Sequence, residues 1–170
     1  MEHRNVYMDY NATTPIHPEV KKVMIESLDI FGNGSSMHGY GREAGMLIAK
    51  AREQIAHLIN ADPDEIIFTA GGSESDNTVL KYVGCQKSSC VAKEYCSRCV
   101  KNEIITTPIE HPAILETVKF LKESGINTKF MKVDFTGLVD PEELYDLITD
   151  KTALVSVMAA NNEIGTLQDI

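Results

Sequence analysis

The chain has 170 residues, 43% of them hydrophobic, which is enough for one domain with a real core. Its formal charge of −9 offers no basic field for nucleic acid or an anionic membrane. No apolar run reaches the ~18 residues of a spanning helix, and Met1-Glu2-His3-Arg4-Asn5 lacks the apolar stretch of a secretory signal, so a cytoplasmic protein is expected.

In chain order, Asn5-Val6-Tyr7-Met8-Asp9 reads as a short strand or an extended entry segment, and Tyr10-Asn11-Ala12-Thr13-Thr14-Pro15 as a turn. Pro18 opens a helix, with Val20, Val23, Met24 and Leu28 at helical spacing. The clearest helix runs from about 41 to 60, with Ala44, Leu47, Ile48, Ala51, Ile55, Leu58 and Ile59 on one stripe. Asp62-Pro63-Asp64 turns the chain into a strand at 66–68. That strand ends on Gly71-Gly72, a hydroxyl follows at Ser73, and a helix runs from about 74 towards 83. Strand, glycine turn, hydroxyl and helix start together build an anion seat. The glycines admit close approach, and the first N–H groups of the helix point outward. The plainer alternative is a tight turn with Ser73 as a helix cap.

Residues 84–101 are polar, aperiodic and rich in cysteine, and read as an insertion. Glu103-Ile104-Ile105-Thr106-Thr107 resumes as a strand, and Pro112 opens a helix with Ile114, Leu115, Val118 and Leu121 inward and Gly125 closing it. A strand over 128–133 follows. At the next helix Asp140 is the expected N-cap, Pro141 takes the first position, Glu143 reaches back in a capping box, and Val139 and Leu144 form a staple. The nearly continuous apolar run 153–158 suits a strand covered on both faces.

Alternating strands and helices predict an α/β domain with a largely parallel sheet. In such sheets ligands bind beyond strand ends, and three candidate sites lie there: Gly72 with Ser73, His111, and the Asn161-Asn162-Glu163 run. Capping at His111, before a proline, and turn formation at Asn161 and Asn162 are the local alternatives.

Five stretches in register make the chain recognisable. They are Met8-Asp9-Tyr10-Asn11-Ala12-Thr13-Thr14-Pro15, Gly34-Ser35-Ser36-Met37-His38, the run from Phe68 to Asn77, Ile105-Thr106-Thr107-Pro108-Ile109-Glu110-His111, and Ala159-Ala160-Asn161-Asn162-Glu163-Ile164-Gly165. With them the sequence resembles the cysteine desulfurases of the NifS/IscS type, pyridoxal-phosphate enzymes of the class V aminotransferase group. The resemblance implies a three-layer, mostly parallel sheet of PLP-dependent transferase fold type I, truncated before the sheet and C-terminal domain are complete. It implies an N-terminal segment, 1–34, and the first part of the large cofactor domain, 35–170. Apolar surface left uncovered by an unfinished sheet is expected.

By the same resemblance Gly72 and Ser73 hold the cofactor phosphate, Ser73 standing where the family commonly has threonine. His111 stacks on the pyridine ring and carries a proton, and Asn162 contacts the cofactor's side oxygen and the substrate. Asn11 and His38 match segments near the pocket. The complete enzyme would take sulfur from L-cysteine to a protein thiol, leaving L-alanine and a persulfide. The sulfur would pass to an acceptor protein for iron–sulfur cluster assembly or tRNA thiolation, and the working form would be a homodimer. The family's Schiff-base lysine, its pyridine-pairing aspartate and its acceptor cysteine match nothing in these residues, so the chain alone is expected to be inactive. A selenocysteine lyase or class V aminotransferase portion is the alternative within the fold, and a non-catalytic metal-binding or assembly module the alternative outside it.

All four cysteines, Cys85, Cys90, Cys96 and Cys99, fall in the insertion with C-x4-C-x5-C-x2-C spacing. Four thiols so close suit a tetrahedral zinc ion or an iron–sulfur cluster. Lys87, Lys93, Arg98 and Lys101 would favour their thiolate forms. A solvent loop or labile disulfides are the alternatives.

Overall fold

The computed structural model describes residues 5–84 and 101–169, in two compact units, 1–68 and 69–170. The four cysteines lie outside the described residues.

The first unit holds α1 (Pro18–Ser27), α2 (Gly39–Ile59) and a short 3-10 turn, Pro63–Glu65. Both helices start on a histidine. His17 Nδ1 accepts the Glu19 N–H, and His38 Nδ1 accepts the Gly41 N–H. Each ring nitrogen does the work of a Ser or Asp cap. Gly41 is required by crowding, since a Cβ there would meet the backbone oxygens of Ser36 and Asn33. The apolar stripes form as expected but find no core here. Val23 is 62% and Leu58 79% exposed, and α1 buries no residue.

Residues 5–9 form no strand, which leaves the entry-segment reading, and the Tyr7 hydroxyl ties the turn that follows by donating to the Asp9 and Thr13 carbonyls. One expectation fails in this unit. Residues 66–68 are extended, and among the described residues no strand pairs with them. An apolar run becomes a strand only when a neighbour takes its backbone groups. Here Arg52 donates to the Ile66 carbonyl and lies 5.1 Å over the Phe68 ring.

The second unit runs α3 (Gly72–Gly84), β1 (Glu103–Thr106), α4 (Pro112–Glu123), β2 (Asn127–Phe130), α5 (Pro141–Leu147) and β3 (Thr152–Val155). The three strands form a parallel sheet in the order β2-β1-β3. Central β1 is buried along its whole length, with Ile104 and Ile105 on opposite faces and both at 0% exposure, as an inner strand of a layered α/β sheet requires. Ile104 joins Leu80 and Val83 of α3 and Ile114, Val118 and Leu121 of α4 in the core. Gly125 ends α4 with a φ of 90°. β3 is only half-buried, because among the described strands it is an edge.

At α5 the Asp140 carboxylate accepts the Glu142 N–H and Pro141 is the first residue, as expected. Glu143 does not close a capping box. Its carboxylate accepts the Lys132 N–H at 2.9 Å instead, joining α5 to the segment after β2.

At the start of β1, Glu103 is 3% exposed and gathers four donors. These are Asn127 at 2.7 Å, Lys129 at 2.8 Å, Thr152 at 2.9 Å and Thr149 at 3.2 Å. Burial alone would raise its pKa. The Lys129 ammonium and the threonine hydroxyls more than offset this and hold it below the ordinary value of 4.5.

Candidate functional site

The site is built at the ends of β1 and β3, where an open parallel sheet leaves a crevice. His111 follows β1 and caps α4, its Nδ1 accepting the Ala113 N–H at 3.1 Å. The capping expected on local grounds is therefore real. It also orients the ring, because with Nδ1 accepting, the neutral imidazole carries its proton on Nε2. That edge has no partner among the described residues.

After β3, Asn161 and Asn162 divide the work. The Asn161 carboxamide faces inward: its oxygen accepts the Glu163 and Ile164 N–H groups at 2.8 and 2.9 Å, and its nitrogen donates to the Ile109 carbonyl at 2.9 Å. Asn162 is exposed, with its side chain unpartnered among the described residues. His111 and Asn162 line one cavity of about 370 Å³ together with Pro108, Glu110, Leu115 and Glu163. A larger hollow of about 720 Å³ beside α5 is lined by Lys132 and by Asp134, Asp140, Glu142, Glu143 and Asp146, and this excess of carboxylates over one ammonium repels a phosphate.

Gly72 and Ser73 form the first turn of α3. Gly71 C=O accepts the N–H groups of Glu74 and Ser75, and the Glu74 carboxylate takes the Ala70 N–H at 2.6 Å. Ser73 is not the cap. Its hydroxyl has no partner among the described residues, nor have the N–H groups of Gly72 and Ser73. A Cβ on Gly71 or Gly72 would meet nothing within 4 Å, and neither glycine has a left-handed φ. Among the described residues neither packing nor backbone geometry asks for glycine there. Two free amides, a free hydroxyl and open space above the glycines suit an anion of phosphate size, so the residues present fit the cofactor phosphate.

Ser73 does not line the cavity of His111 and Asn162. It is tied to α4, the helix that His111 caps, through Asn77, whose role no local motif announces. Asn77 Nδ2 donates to the Ser73 carbonyl at 2.8 Å and to the Ala113 carbonyl at 3.5 Å, and its Oδ1 accepts the Thr117 hydroxyl at 2.9 Å. Asn11 and His38 belong to the first unit, in the turn after Tyr10 and as the cap of α2.

Glu110 was also missed. It is 7% exposed, and its Oε1 accepts the Met158 N–H at 2.6 Å and the Thr107 hydroxyl at 3.4 Å. Burial pushes its pKa up, the two hydrogen bonds oppose this, and the Asp76 carboxylate adds to the rise. Among the described residues no three histidine, cysteine or acidic side chains cluster as metal ligands, and no helix is long and apolar enough to cross a membrane.

The aminotransferase class-V family model matches residues 6–170. A cysteine desulfurase IscS of Clostridium botulinum (strain Kyoto / Type A2) is 43% identical over 168 residues, covering 98% of this chain and 40% of its own. The mitochondrial cysteine desulfurase of Eremothecium gossypii is 44% identical over 169 residues, covering 98% of this chain and 32% of its own. Among solved structures, a NifS-like protein superposes with a TM-score of 0.85 at 44% identity, over 98% of this chain and 43% of that one. SspA, solved in complex with cysteine, gives 0.81 at 34% identity, over 96% and 44%. The chain thus spans about 40% of the length of the first of these curated relatives. With α/β layers, a parallel sheet and this match along nearly its whole length, the chain belongs to the aminotransferase class-V family.

Proposed function

We propose that these residues form the N-terminal part of a pyridoxal-phosphate-dependent cysteine desulfurase. The observation that carries the reading is that His111 and Asn162, from the ends of two parallel strands, line one cavity. The names of the relatives support the substrate, L-cysteine. The division into 1–34 and 35–170 follows the family resemblance, whereas contact density divides the chain after Phe68.

Pyridoxal phosphate, when bound, supplies an electron sink for charge developing at the substrate's α-carbon. The chain's own residues hold and orient. The Gly72 and Ser73 amides and the Ser73 hydroxyl take the phosphate oxygens. His111 lays a flat ring against the cofactor and exchanges a proton through Nε2, the edge its cap leaves open. Asn162 offers its carboxamide to a cofactor or substrate oxygen. Sulfur then leaves cysteine for a thiolate supplied from outside these residues, giving L-alanine and a persulfide. An acceptor protein for iron–sulfur cluster assembly or tRNA thiolation, a homodimeric complete enzyme and a cytoplasmic setting complete the proposal. We read Cys85, Cys90, Cys96 and Cys99 as ligands of one zinc ion or iron–sulfur cluster, on their spacing.

Mixed with pyridoxal phosphate and L-cysteine, the 170-residue chain is expected to bind the cofactor saturably and release no alanine. Borohydride is expected to trap no single lysine. Absence of saturable binding would overturn the cofactor site. A stoichiometrically trapped lysine, or sustained alanine release, would overturn the requirement for groups from elsewhere.

Gly72→Ala separates binding from folding. Stability is expected to stay level or rise by up to about 1 kcal/mol, since the new methyl meets nothing and stiffens the unfolded chain. Cofactor affinity is expected to fall about tenfold, because that methyl stands in the phosphate's approach. Paired urea melts and equilibrium dialysis read both. A loss of stability with unchanged affinity would assign Gly72 to the fold.

A further inference from the structure

His111 and Asn162 each follow a residue that turns inward. Glu110 precedes His111 and Asn161 precedes Asn162. The β1–α4 loop sends the Glu110 carboxylate to the Met158 N–H, just upstream of Asn162, at 2.6 Å. The loop after β3 sends the Asn161 carboxamide back to the Ile109 carbonyl, just upstream of His111, at 2.9 Å. Both bonds are donated by the loop after β3 to the β1–α4 loop, but each loop supplies the side chain of one and the backbone group of the other. One joint lets two loops pivot, whereas two fix both distance and angle. The carboxamide has no slack, because its oxygen is already held by the Glu163 and Ile164 N–H groups.

We propose that Glu110 and Asn161 are positioning residues, a two-point clasp that sets the separation of His111 and Asn162 across the cavity. For what occupies that cavity the proposal rests on the cofactor reading above. The clasp needs an acceptor at Glu110 and has no use for a charge there. Both donors, the Met158 N–H and the Thr107 hydroxyl, converge on Oε1. The carboxylate is buried and faces a like charge at Asp76, which disfavours its ionised form. A neutral acceptor of the same shape should serve as well.

The test compares Glu110→Gln, Glu110→Ala and Asn161→Ser with the unaltered chain. Serine retains an oxygen for the Glu163 N–H and loses the reach to Ile109. Two readouts are taken: equilibrium dialysis against pyridoxal phosphate, and nuclear magnetic resonance of the His111 ring and Asn162 carboxamide without it. Glu110→Gln is expected to keep the His111 and Asn162 signals of the unaltered chain and to bind pyridoxal phosphate more tightly than Glu110→Ala. Glu110→Ala and Asn161→Ser are each expected to bind about tenfold more weakly, the size of one lost charged or well-oriented hydrogen bond. Their His111 and Asn162 signals are expected to double or broaden as the loops pivot. If Glu110→Ala does not fold, Asn161→Ser alone decides. Unchanged affinity and unchanged His111 and Asn162 signals in a folded Ala or Ser variant would overturn the clasp, as would a Gln variant as impaired as Ala. An unaltered chain that does not bind pyridoxal phosphate counts against the cofactor reading alone, and the resonance comparison then decides the clasp.

Discussion

Glu103→Ala is expected to cost about 3 kcal/mol of unfolding free energy at neutral pH, the low end for breaking a buried ion pair. Glu103 is 3% exposed and gathers donors from both neighbouring strands, β2 and β3, and from the turn before β3. Removing it leaves Lys129, Asn127, Thr149 and Thr152 without their shared acceptor. The cost falls at the low end because the Lys129 side chain is 28% exposed and recovers some water. The pH dependence has a definite sign. A carboxylate held below its ordinary value contributes stability that is present above 4.5 and is lost as pH falls through its folded value. The acid limb of the stability curve should therefore flatten in Glu103→Ala. Glu110, pushed the other way by burial, favours folding below 4.5 and loses that contribution as pH rises through its folded value. Urea melts across this range check both signs. A Glu103→Ala chain within about 0.5 kcal/mol of the unaltered one, as for an ordinary surface change, would contradict the account.

Asn77→Leu is expected to cost about 2 kcal/mol, since it strands a buried polar partner. Thr117 is 7% exposed and gives its hydroxyl proton to Asn77 Oδ1. The Ser73 carbonyl, one turn above in α3, and the Ala113 carbonyl at the start of α4 both lose a donor. Because Ala113 also supplies the N–H that His111 caps, the loss reaches both parts of the candidate site. Cofactor affinity should fall along with stability, unlike in Gly72→Ala. Thermal melts and dialysis on one preparation measure both. A stable Asn77→Leu chain with full affinity would show that the phosphate seat and His111 are held in place without this bridge.

What the sequence revealed and what it concealed divide by range. α2, α4 and α5 were legible because their signals are local: an apolar stripe, a proline at the first position, an aspartate before it, a glycine past the end. His111 and Asn162 were legible because they sit in motifs at strand ends. Residues 66–68 look like a strand, but an apolar run carries no record of whether a neighbour pairs with it. Glu143 was expected to reach back along its own helix, yet its partner, the Lys132 N–H, lies 11 residues away across a loop. Glu110 and Asn77 were unreadable for the same reason. Their partners lie 48 and 40 residues away, and only the folded sheet and packed helices bring them together. The stripes of α1 and α2 were legible as helices, but nothing in them says which surface would cover them.

Titrating isotopically labelled chain with pyridoxal phosphate, and following its amide and side-chain resonances, tests the central claim most directly. Saturable shifts are expected at the Gly72 and Ser73 amides, the His111 ring and the Asn162 carboxamide. Pyridoxal lacking the phosphate should leave Gly72 and Ser73 unmoved. Shifts scattered over exposed lysines, with these four groups unmoved, would contradict the claim that the strand ends form a cofactor site.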